Sequence, residues 1–204
     1  MKRSALAVST ILAVFSCSVF AAEDVGPYVG GNIGVTSINT ANEQQKLVND
    51  LVAAGFTSAS MGMDQASKGF KVLGGYRFTE NFAAEAYYAS LGTYKFTIAT
   101  TGPAVSGSGD IKLKASGVDL LGMFPFSSSH TGFVRVGYFQ GTGDATFTVG
   151  GTSSSSSSNG SDFKVGFGDE WKVTPALRLR GEFEYYNDKN TPISVLSVGL
   201  IAHF

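Results

Sequence analysis

The sequence predicts an all-β fold: an eight-stranded antiparallel up-and-down transmembrane β-barrel, preceded by a cleavable signal peptide. Three observations carry that expectation. Segments alternate strictly between apolar and polar residues, which places successive side chains on opposite faces of an extended chain. The connections between these segments alternate between short and long. Aromatic residues gather toward the segment ends.

Before the barrel, residues 1–21 read as a signal peptide. Lys2 and Arg3 form a cationic start, Ala5–Phe20 is an apolar run, and Val19-Phe20-Ala21 offers a small-residue cleavage site. The run is short and dotted with serine, unlike a permanent membrane helix. The barrel domain is expected over residues 22–204. Cys17 has two readings, a lipidated first residue or a discarded signal residue. The preceding Val-Phe-Ser lacks the usual lipidation pattern, which favours the second and leaves a mature chain without cysteine.

Eight alternating segments follow: Tyr28–Ile38, Lys68–Phe78, Phe82–Phe96, Ile111–Phe126, Thr131–Thr142, Asp162–Val173, Leu177–Tyr186 and Ile193–Phe204. Most match the ~9–11 residues a tilted strand needs to cross a bilayer. The links at 79–81, 127–130 and 173–176 are tight, and those at 39–67, 97–110 and 143–161 are long. Residues 187–192 break the trend by being short. Tight turns at one end and long loops at the other are the layout of an outer-membrane barrel, and an even strand count puts both termini at the tight end. Within the first long loop, Leu47, Val48, Leu51 and Val52 recur at helical spacing, and Gly55 stops the helix. The helix reads as a small amphipathic cap on its own barrel. The serine run 152–161 is too polar to pack and reads as a disordered surface loop.

In Leu177–Tyr186, Arg178, Arg180, Glu182 and Glu184 share one face, while Leu179, Gly181, Phe183 and Tyr185 share the other. The other strands repeat this division, with Lys71, Arg77, Glu85, Tyr87, Asp119, Arg135, Lys164 and Glu170 on the polar side. Two solutions satisfy it. A soluble lipocalin-like carrier turns the charges outward around an apolar ligand cavity. A membrane barrel turns them into its lumen. Three features favour lipid: two aromatic rings at the strand ends, a polar face of nearly balanced charge, and glycines within strands where long charged side chains need room. Eight strands enclose a space just wide enough for side chains. The expected lumen is therefore a salt-bridged plug of Lys71, Glu85, Asp119, Arg135, Glu170, Arg180, Glu182 and Glu184, with Arg180 across from Glu170 around the 173–176 turn.

YVGGNIG at the barrel entry, GFKVLGGYRFTENFAAEAYYASLG (69–92), LRLRGEFEYYND and the terminal SVGLIAHF together resemble the OmpA-like transmembrane domain of Gram-negative outer-membrane proteins. The resemblance covers essentially the whole mature chain. It implies an eight-stranded barrel with periplasmic termini and a luminal salt-bridge network, to which Glu85, Arg135, Arg180 and Glu182 stand at matching positions. It also implies that Leu200, Ala202 and the terminal Phe204 form the signal read by the outer-membrane insertion machinery. OmpA itself continues into a peptidoglycan-binding domain, whereas this chain ends with its last strand, so cell-wall tethering does not carry over.

With 15% charged residues and a net charge of −1, the chain has no basic footprint for nucleic acid. Two histidines and one cysteine leave little material for a metal site, and no cofactor is implied. His130 lies beside Ser127–Ser129 and His203 near the chain end, but neither reads as a base oriented by a third group. Glu182 and Glu184 resemble a paired-carboxylate site until Arg178 and Arg180 are set beside them; neutralisation is the simpler account. The expectation is a structural or interaction barrel, not an enzyme. Its expected partners are outer-membrane lipids, lipopolysaccharide, and an extracellular partner met by the long loops. The alternatives are an enzyme acting on lipid or peptide at the surface, and a soluble periplasmic ligand carrier.

Overall fold

The structure, a computed structural model, describes residues 25–102, 104–187 and 191–204. The expected signal peptide and Cys17 lie outside the described residues. Among the described residues, nine strands and one helix follow in the order β1 (Gly26–Ile38), α1 (Ala41–Ala53), β2 (Ser58–Met63), β3 (Ala66–Thr79), β4 (Phe82–Thr101), β5 (Val105–Pro125), β6 (His130–Val149), β7 (Thr152–Lys172), β8 (Leu177–Tyr186) and β9 (Ile193–His203).

All pairings are antiparallel, and the ring closes. β1 pairs with both β3 and β9, β4 pairs with β3 and β5, and consecutive strands complete the circuit. Closure pairs the strand edges within the ring, which a sheet in hydrocarbon requires because no water is there to bond exposed backbone groups. β2 stands outside the ring and, among the described residues, pairs with β4 alone. The eight-stranded barrel is thus the one expected, with a ninth strand added above it.

The strand facing answers the question left open by alternation. On β8, Arg178, Arg180, Glu182 and Glu184 are buried, while Gly181 and Tyr185 are exposed. On the other strands Ile33, Phe70, Val72, Leu120, Val136, Phe163, Phe167, Leu196 and Leu200 all stand outward and exposed. The molecule is charged within and apolar without, which suits lipid and excludes the soluble carrier. Tyr76, Phe78, Phe82, Phe124, Phe126 and Trp171 ring the short-turn end, and Tyr88, Tyr138 and Tyr185 stand nearer the other, as interfacial girdles do.

Residues 97–110 and 143–161 depart from expectation. They are not loops: β4–β5 and β6–β7 run on as long hairpins, and the serine run 152–161 lies within β7, paired with Asp144–Val149 and the residues below them. Serine offers little apolar surface of its own. The neighbouring strand supplies what composition does not, because each residue added to an existing hairpin closes ladder bonds without a new loop-closure cost. Thr142 donates to Asn159 at 2.9 Å, and Ser157 donates to Asp144 at 2.8 Å. Asp144 also takes the Lys114 ammonium at 3.0 Å, chiefly through which its carboxyl is held below the usual range. Amide hydrogen exchange should distinguish a paired strand from a disordered loop. Across Ser153–Ser158, alternate amides, those facing β6, should exchange slowly and the intervening ones fast, whereas uniform fast exchange would restore the loop.

The helix forms where its spacing predicts it. Gln44 donates to Thr40 Oγ1 at 2.7 Å at its start, and Gly55, at φ +100°, takes the left-handed turn that ends it. It packs on β2 rather than on the barrel wall. The chain reaches this arrangement through a bulge in β4 at Ser90–Gly92. Gly92 adopts φ +99° there, β3 falls away, and β2 takes its place from Phe96 onward.

Candidate functional site

Because side chains alternate, each strand sends a fixed parity of residues into the lumen. The lumen has three layers. Toward the short-turn end, Tyr28, Leu121, Met123, Phe133 and Ile201 are buried, with Tyr28 stacked on His203 at 5.0 Å. Toward the other end, Ile38, Leu91, Tyr94, Phe139, Tyr186 and Ile193 close the barrel, with Phe139 and Tyr186 edge to face at 5.1 Å. Between these apolar layers lie Lys71, Arg135, Lys164, Arg178 and Arg180 against Glu85, Asp119, Glu170, Glu182 and Glu184, all buried. Arg77 is buried too, nearer the short turns, with its guanidinium on the Glu80 carbonyl at 2.6 Å, so six cations meet five anions and the buried charge is nearly balanced.

Arg135 is the hub. Its guanidinium reaches Asp119 at 2.9 Å, Glu85 at 3.1 Å, Glu184 at 3.3 Å and Glu182 at 2.6 Å. Lys164 bridges Asp119 at 2.9 Å and Glu184 at 2.5 Å, and lies 3.6 Å from the centre of the Tyr87 ring. Lys71 joins Glu182 and, at 2.9 Å, Glu184. Arg180 links Glu85 at 2.6 Å to Glu170 at 2.5 Å, and Arg178 reaches Glu170 at 3.3 Å. The β7–β8 register sets Glu170 directly across from Arg180. Each carboxylate also needs its remaining lone pairs filled, since buried charge is tolerable only when paired and hydrogen-bonded. Tyr28 donates to Glu85 at 2.9 Å, and Asn32 donates to Glu182 at 2.7 Å.

Glycine makes the room. A Cβ on Gly75 would strike the Tyr28 ring, and one on Gly137 would strike the Asp119 carboxylate. A void beside this layer, bordered by Asn32, Lys71, Leu91, Glu184 and Tyr186, measures about 10 Å³, at or below what one water needs.

Every residue expected on the polar face is therefore inside, and the eight expected in the plug lie in one connected cluster. Tyr28, Asn32 and Tyr186 complete the cluster with Tyr87, but these three were not singled out from the sequence. Strand parity would have found them: Tyr28 and Asn32 share the parity of Gly30 and Gly34. At the chain end, Leu200 faces outward, and the Phe204 amide donates to the Pro27 carbonyl at 3.1 Å, tying the terminus to β1.

The histidines are placed differently from each other. His203 is buried against Tyr28. His130 lies on the outer surface with its Nδ1 3.0 Å from Asp169 Oδ2. The expectation that no third group orients it is corrected by that contact: Gly132 pairs with Asp169 across β6–β7, which brings the carboxylate up beside the ring. Ser127 Oγ, the nearby hydroxyl in sequence, accepts from the amides of Ser129 at 3.3 Å and His130 at 3.0 Å, and so caps the turn. No group of three or more metal-ligating side chains occurs among the described residues.

A profile for the outer membrane protein beta-barrel domain matches residues 7–204. No curated protein sequence matches significantly. Among solved structures, the attachment invasion locus protein Ail of Yersinia pestis is similar at a TM-score of 0.57 and 14% identity, covering 88% of this chain and 99% of that one. Neisserial surface protein A is similar at 0.55 and 19%, covering 88% and 97%. The N-terminal barrel domain of Pseudomonas aeruginosa OprF is similar at 0.52 and 10%, covering 88% and 98%. At these identities the likeness concerns the fold; the profile, which spans nearly the whole sequence, establishes that this chain belongs to the outer membrane protein β-barrel domain family.

Proposed function

We propose that the protein is a structural and interaction barrel of the outer membrane. On this reading its lumen is closed by the charged layer and does not conduct appreciably. The observation that carries the reading is the Arg135 cluster, packed between buried side chains toward both ends with a void of only about 10 Å³ beside it. Opening a path through it requires separating ion pairs held in a low-dielectric interior, where each orphaned charge costs several kcal/mol. No catalytic step is assigned, because the one histidine held by a carboxylate has its neighbouring serine engaged in a turn.

The parts able to meet other molecules are then outside the lumen. The extended hairpins of β4–β7, with β2 and α1, face the exterior and are where an extracellular partner is engaged. Ail, which shares the fold, has been crystallised with a heparin analogue, sucrose octasulfate. The barrel wall contacts membrane lipid, including lipopolysaccharide on the outer side. Leu200, Ala202 and Phe204 serve the insertion machinery during assembly. Reconstitution in planar bilayers tests the plug. Rare, small openings at most are expected, and large, stable conductance in every preparation would replace the plug with a pore.

A further inference from the structure

A carboxylate on the lipid-facing side of a barrel strand calls for an explanation. Asp169 shares its outward register on β7 with Phe167 and Trp171, both exposed. One of its oxygens, Oδ2, meets His130 Nδ1 at 3.0 Å; the other, Oδ1, is covered and accepts no hydrogen bond from the described residues. Aromatic rings flank His130 in turn. His130 stacks on Trp171 at 6.0 Å and 5°, and on Phe126 at 6.2 Å and 11°. The position across the sheet is Gly132, which leaves its side of the strand pair bare. The Phe126 ring lies over that gap, where a Cβ on Gly132 would come within 2.8 Å of it. Phe126 is 68% exposed, so its ring is free to swing aside.

We propose that Asp169, Phe126, His130 and Trp171 form a binding site for the primary ammonium headgroup of a phospholipid in the periplasmic leaflet. The site lies in the aromatic girdle at the short-turn end, the depth at which headgroups meet the barrel. An ammonium N–H supplies the donor that Asp169 Oδ1 lacks, in a charge-assisted bond. The indole and phenyl faces attract the same cation through their quadrupoles. The contact with His130 Nδ1 holds the carboxylate in place beside the rings. The chemistry is selective: a glycerol headgroup brings no cation, and a quaternary ammonium brings no N–H.

The test uses the full mature protein, extracted from nanodiscs containing equal amounts of phosphatidylethanolamine, phosphatidylcholine and phosphatidylglycerol with matched acyl chains. Native mass spectrometry then counts the lipids retained. Phosphatidylethanolamine should be retained about tenfold over phosphatidylglycerol, with phosphatidylcholine between them. Asp169→Asn should abolish the preference, and Trp171→Leu should reduce it, in barrels whose heat-modifiable gel migration is unchanged. Equal retention of the three lipids by the unaltered protein overturns the proposal without recourse to any variant. So does a preference that survives Asp169→Asn. Neither result bears on the luminal plug, which bilayer conductance tests separately.

Discussion

Arg135→Met is expected to lower the stability of the folded barrel by about 3–5 kcal/mol, the cost of removing one partner from a buried ion pair. The size of the effect follows from what Arg135 touches. Its guanidinium is shared among Glu85, Asp119, Glu182 and Glu184, so its loss leaves like charges facing each other in a dry layer. Methionine keeps much of the volume, which separates the loss of charge from the opening of a cavity. The measurement is the urea midpoint of the barrel in lipid vesicles, read by gel migration without boiling. Glu182→Gln in the same background should recover part of the loss by removing one of the stranded anions; the two changes should therefore be non-additive. A midpoint for Arg135→Met equal to that of the unaltered protein would mean that the cluster is not what holds the lumen closed.

The second large effect lies on the other side of the same wall. Leu120, 64% exposed, pairs with Ala84 on β4 and Val136 on β6, in the outward apolar band of the barrel. Leu120→Arg should destabilise by about 2–4 kcal/mol in vesicles, as a cation near the bilayer midplane does. Thr97→Arg, on the hairpin beyond the β4 bulge, is the control. It is exposed to water, and a surface change there should stay within about 0.5 kcal/mol. The contrast is the informative quantity, since an exposed leucine in water would tolerate arginine as readily as Thr97 does. Equal, small effects at both positions would place Leu120 outside the hydrocarbon.

The charged layer was legible residue by residue, because strand parity assigns Glu85, Asp119, Arg135, Glu182 and Glu184 to one face without knowledge of the fold. Which anion meets which cation was legible only across the tight 173–176 turn, where two-strand geometry places Glu170 by Arg180. The contacts of Arg135 to Glu182 and of Lys71 to Glu184 cross the lumen between strands far apart in sequence. No local pattern carries them. Asp169 beside His130 belongs to the same class: the two lie 39 residues apart, and only the β6–β7 register joins them.

Alternation, glycine placement and turn spacing by themselves determined that this chain forms eight amphipathic barrel strands with charges on one face and apolar groups on the other. They also determined the helix at Ala41–Ala53, because a 3.6-residue spacing and a stopping glycine are local properties. The tertiary structure alone decided that the serine run is a strand. Serine has no pattern to declare, and the run takes its conformation from the β6 backbone it pairs with. The tertiary structure also settled that the polar face is the interior, which the aromatic rings, the charge balance and the strand glycines had favoured. A period of two is the same viewed from either side, so alternation alone cannot orient the sheet; ring closure turns one face inward, and only there can the cations and anions come within bonding distance of one another.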